Sequence, residues 1–105
     1  MGVVVTGSEE FKRYLHALPL GDEVRKKLEK MIDALEINPG AGEQIQRGLW
    51  PRDYRKQSFD NVFRYEVDDS MRATYTVRRI DDQNREVRII DFFRSHKEYE
   101  RKFRY

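Results

Sequence analysis

Val3, Val4 and Val5 form a β-branched run near the start of the chain, which predicts a short first strand. Ser8 is a good helix N-cap, and after it Phe11, Tyr14, Leu15 and Leu18 recur at helical spacing while Glu9, Glu10, Lys12 and Arg13 face away. Pro19 and Gly21 end that helix. Asp22 caps a longer one whose apolar stripe is Val24, Leu28, Met31, Ile32 and Leu35, and Asn38-Pro39-Gly40 stops it. So short a connection predicts an antiparallel helical hairpin whose task is packing. From residue 40 the pattern loosens: residues 45–50 read as a short strand, and residues 51–60 as a loop exposing Arg52, Arg55 and Lys56. Alternation then returns. Phe63, Tyr65 and Val67 point one way and Arg64, Glu66 and Asp68 the other; after the 68–70 turn, Arg72, Thr74, Thr76 and Arg78 oppose Ala73, Tyr75 and Val77. A second hairpin at 81–84 leads into a strand over 87–93.

The predicted order is strand, two helices, antiparallel meander and terminal helix. This is an α+β fold: an N-terminal strand and helical hairpin packed on a small, mainly antiparallel twisted sheet, with a short C-terminal helix. The 105 residues form one domain, 1–105, without repeat or linker. Aromatics make up 12% of the chain, enough bulk to argue against disorder. There is no cysteine, which excludes disulfides and thiolate metal sites, and two histidines make a histidine-based metal site improbable. With no signal-peptide pattern and no apolar run of membrane-spanning length, a cytoplasmic address is expected. The net charge of +2 conceals an asymmetry. Residues 1–44 carry six Lys/Arg against eight Asp/Glu, and residues 45–105 carry fifteen against eleven. A basic second half fits an anionic partner, although a solvated charged face gives the same counts.

The last eighteen residues, RIIDFFRSHKEYERKFRY, concentrate the candidate chemistry. Ser95 and Glu98 have capping-box spacing. His96, Tyr99 and Phe103 fall at i, i+3 and i+7 of the helix that follows, among Arg94, Lys97, Arg101, Lys102 and Arg104. An imidazole and a phenol among cations suggest work on a phosphate. Read alone, His96 is equally an exposed residue in a first helical turn, Arg72 a solvated strand residue, and Tyr99 and Phe103 packing groups; His16 is structural or exposed. If Arg72 and Arg78 point away from the helices, they line an open basic sheet face with the terminal helix at its rim.

The element order, together with NPGAGEQIQRGLWPRDYRKQSFDNVFRYEV, RATYTV and IIDFFRSHKEYERKFRY, resembles the RelE/ParE superfamily of toxin–antitoxin toxins. The likeness spans nearly the whole chain and is greatest to the RelE-like branch. Arg104 stands where relatives often have glycine. The resemblance implies the toxin of a type II toxin–antitoxin system: an endoribonuclease that cleaves mRNA on the ribosome and inhibits translation, with no metal or other cofactor. Its implied partners are a cognate antitoxin, the ribosome and mRNA, with no membrane and with room for higher-order toxin–antitoxin oligomers. The implied catalytic set is His96, Arg72, Arg94 and Tyr99; Arg52, Arg55, Lys56, Arg78, Lys97, Arg101 and Lys102 would contact RNA or ribosome. RNA supplies its own nucleophile, the 2′-hydroxyl. Histidine suits either proton role at neutral pH, and arginines stabilise the developing charge. Two alternatives stand beside this: a ParE-like DNA gyrase inhibitor, and a degenerate module that binds antitoxin or nucleic acid without cutting.

Overall fold

The computed structural model describes residues 2–103. Its elements are β1 (Gly2–Gly7), α1 (Glu9–Ala17), α2 (Glu23–Ile37), β2 (Glu43–Gln44), a 3-10 turn (Arg47–Leu49), α3 (Arg52–Arg55), β3 (Phe63–Glu66), β4 (Arg72–Arg79), β5 (Asn84–Phe93) and α4 (His96–Phe103). The sheet order is β1-β5-β4-β3-β2, with β1 parallel to β5 and every other pair antiparallel. The fold is the α+β arrangement that the pattern predicts. Arg104, where the resemblance expects glycine, lies outside the described residues.

The caps fall where the sequence puts them. Ser8 Oγ accepts from the Phe11 N–H at 3.1 Å and donates to the Ile90 carbonyl at 2.9 Å, so one hydroxyl both starts α1 and ties it to β5. Asp22 accepts from the Val24 and Arg25 N–H groups at 2.8 and 3.2 Å. Each cap is worth about 1 kcal/mol. Gly21 before it has φ +88°, a left-handed conformation that disfavours a side chain.

One face of the sheet is covered by α1 and α2. There Phe11, Leu28, Met31 and Leu35 pack on Ala73, Tyr75, Val87 and Ile89. The opposite face departs from expectation: it is not an open basic surface but carries a second core. Ile45, Trp50, Tyr54 and Val62 from the middle of the chain meet Ile90 and Phe93 of β5 and Tyr99 and Phe103 of α4. Residues 45–50 contain the 3-10 turn (Arg47–Leu49) rather than a strand, and residues 51–60 hold α3, whose Tyr54 is fully buried. The apolar groups of this segment are spaced without a period, yet they are what closes the second face.

A bulge makes that closure work. Thr74 pairs with Asp91 and Tyr75 with Ile89, which leaves Ile90 as an extra residue in β5. Val87, Ile89 and Phe92 therefore pack towards the helices, while Ile90, Asp91 and Phe93 serve the second face. Tyr54 donates to Asp91 at 2.5 Å and shares a hydrogen bond with Thr74 at 2.7 Å. Burial, reinforced by the charge of Asp91, raises the pKa of the Tyr54 phenol, which stays protonated as the donor.

Candidate functional site

The candidate residues gather at one end of the second face because of strand register. Arg72, the first residue of β4, is the Cα partner of Phe93, the last of β5, and Arg94 and His96 follow directly. The turn into α4 is capped reciprocally. Ser95 Oγ accepts from the Glu98 N–H at 3.1 Å, and the Glu98 carboxylate reaches past Ser95 to the Arg94 N–H at 2.9 Å and lies 3.4 Å from the Arg94 guanidinium. His96 stands on the first turn with its side chain 53% exposed, and its Nε2 lies 3.3 Å from Glu100 Oε1. It is reachable from solvent, with the Tyr99 ring 6.3 Å away between centroids.

Tyr99 is placed differently. Its side chain is fully buried, stacked on Phe103 at 4.5 Å between ring centroids and edge-on to Phe93 at 5.4 Å. It is part of the core that fixes α4 to the sheet, and an RNA base has no access to its ring. Phe103 is buried beside it.

Arg72 is also committed. Its side chain is 11% exposed, and Nη1 donates to the carbonyls of Asp68 at 2.7 Å and Met71 at 3.1 Å, with Glu66 at 3.9 Å from Nη2. The alternation that put it opposite the helices is correct. The expectation of an open surface around it is not, because the guanidinium folds back over the 68–71 turn. That turn is itself braced by Asp68, whose carboxylate accepts from Lys27 at 2.8 Å and from the Ser70 and Met71 N–H groups at 2.8 and 2.7 Å. These contacts, Lys27 first, lower the Asp68 pKa to about 2. The folded-state pKa lies below the unfolded value of about 3.9. The associated stability is therefore present above about pH 4 and is lost as pH falls towards 2. In urea titrations, wild type should exceed Asp68→Asn in stability at neutral pH, and the gap should close across that acid window. A gap independent of pH would mean that the carboxylate charge does not brace the turn.

Arg64 is the residue that sequence reasoning missed. It pairs in register with Thr74, so it shares the second face. Its guanidinium sits 5.7 Å from the Tyr99 ring centroid and donates to Glu43 at 2.9 Å. Burial works against its charge, but the hydrogen bond to Tyr99 and the charge of Glu43 outweigh it, and the pKa is raised. A fixed, one-fifth exposed cation beside α4 is a pre-positioned electrostatic group of the kind that phosphate chemistry uses. The pairing of a 63–66 strand with one beginning at Arg72 was the signal that could have found it.

The remaining cations fall into separate groups. A cleft of about 640 Å³ between residues 48–55 and the end of α4 is lined by Arg52, Arg55, Arg101 and Lys102, with Trp50 and Phe103 as apolar walls. Within it, Lys102 bonds Asp53 at 2.7 Å and Arg55 donates to the Gly48 carbonyl at 2.7 Å. Lys56 and Lys97 are exposed. Arg78 lies at the other end of β4, bonded to Glu86 at 2.7 Å, and does not join the cluster. Among the described residues there is no grouping of three or more side chains suited to a metal ion.

Comparison with family models, with curated proteins and with solved structures finds no match.

Proposed function

We propose that this chain is a RelE-like toxin of a type II toxin–antitoxin pair: a cytoplasmic endoribonuclease that cuts mRNA on the ribosome without a metal ion, held in check by a cognate antitoxin. The observation that carries the proposal is the exposed His96, presented on a capped helical turn beside the exposed Arg94 and one turn from the Arg64–Tyr99 contact. In this mechanism His96 takes the proton of the 2′-hydroxyl or delivers one to the leaving 5′-oxygen. The 2′-oxygen forms a bond to phosphorus as the bond from phosphorus to the 5′-oxygen breaks. The products are a 2′,3′-cyclic phosphate and a 5′-hydroxyl. Arg94 and Arg64 supply positive charge at the phosphate. Arg72 acts by fixing the turn beside them, and Tyr99 by fixing α4. The basic cleft around Arg52 and Arg101 offers a second, larger surface for the ribosome's anionic backbone.

One arrangement favours a second reading. Arg72 and Tyr99 both spend their side chains on structure, as they would in a module that binds antitoxin or nucleic acid and cuts nothing. Primer-extension mapping of message in a translating extract separates the two, with DNA gyrase supercoiling measured in parallel. Discrete breaks ending in cyclic phosphate, with gyrase unaffected, are expected. Gyrase inhibition without breaks would move the assignment to a ParE-like poison, and neither effect would leave the binding module.

A further inference from the structure

A recess at the far end of the second face is separate from the site above. Two cross-strand pairs form its floor: Thr76 with Arg88, and Arg78 with Glu86. Residues 57–60 rise beside them, and the recess holds about 360 Å³ with Phe59 and Asp60 on its wall. Arg78 is paired, its Nε and Nη2 both donating to Glu86 at 3.1 and 2.7 Å, while the second Glu86 oxygen accepts from Thr6 at 3.0 Å. Arg88 and Asp60 are not so engaged. Among the described residues neither makes an ion pair or a side-chain hydrogen bond, and both are exposed.

The recess is therefore close to neutral, which argues against a simple phosphate site. It offers one open donor fork, one open carboxylate and an aromatic wall. That set complements a planar group with acceptors on one edge and donors on another. Guanine has this layout, with O6 and N7 as acceptors suited to arginine and an N2 amino group as donor. In unpaired RNA its edges are exposed and its face is free to stack on an aromatic ring.

We infer that this recess receives an unpaired guanine of the RNA, with Arg88 at the O6/N7 edge, Asp60 at the amino edge and Phe59 against the ring. The inference rests on the proposed action on RNA and adds base selectivity to it. The test uses anisotropy titrations, without ribosomes, of two short labelled oligoribonucleotides that differ by one central guanine or adenine. Wild type should prefer the guanine strand about ten-fold. Arg88→Ala and Asp60→Asn should each bring the two affinities together while leaving thermal unfolding unchanged. Equal wild-type affinities, or a preference that survives both substitutions, would overturn the inference. Because the measurement needs no cleavage, its failure is distinct from that of the nuclease proposal. Guanine preference in a protein that never cuts message would sink the nuclease and keep the recess, and cutting without preference would do the reverse.

Discussion

Replacing His96 by alanine should slow cleavage of translated message by about a hundred- to ten-thousand-fold, the usual contribution of a positioned acid or base. The fold should hardly notice. The side chain is more than half exposed, and its contact with Glu100 is a surface pair of a kind worth roughly 0–1 kcal/mol. The unfolding free energy from urea titration should therefore stay within about 0.5 kcal/mol of wild type, as for other surface substitutions. That separation of rate from stability is what identifies a proton carrier rather than a packing residue. Full cleavage by His96→Ala would remove His96 from the mechanism and shift the weight to the binding-module reading.

The opposite separation is expected at Tyr99. Truncating a fully buried aromatic to alanine costs about 3–5 kcal/mol, a large share of the roughly 5–15 kcal/mol that holds a domain together. Tyr99→Ala should thus unfold at much lower urea and lose activity along with its structure. Tyr99→Phe keeps the stack on Phe103 and the edge contact with Phe93 and removes the hydroxyl, whose hydrogen bonding is worth about 1 kcal/mol. It should cut message at nearly the wild-type rate. If Tyr99→Phe were stable but lacked cleavage, the phenol would carry a proton after all.

Local signals were legible wherever they were short-range. Ser8, Asp22 and Ser95 cap the helices that follow them, as their spacing predicts, because a hydroxyl or carboxylate two or three residues from an unpaired N–H acts without tertiary help. Strand alternation also assigned the faces of β3 and β4 correctly. What covered the second face was not legible. Ile45, Trp50, Tyr54 and Val62 follow neither a helical nor a strand period, and only the assembled sheet gives them a common direction. Arg72 was misjudged for the same reason, since its surroundings come from the 68–71 turn and the closing layer rather than from its own strand. The run IIDFF hides a further trap. The bulge at Ile90 places Asp91 on the same side as Ile90, which simple alternation forbids.

The parallel pairing of β1 with β5 has a kinetic consequence. Ser8, just after β1, bonds Ile90 across 82 positions of sequence, so among the described residues the first strand finds its sheet neighbour in a strand distant in sequence. Contacts of such separation slow folding, because a large loop must close before they form. During synthesis β1 has no partner until β5 has emerged, and the second face cannot close until α4 follows. Until β5 and α4 have both been made, the segment before them therefore stays short of its working shape. Any partner that must catch it before it acts gains that interval in which to bind.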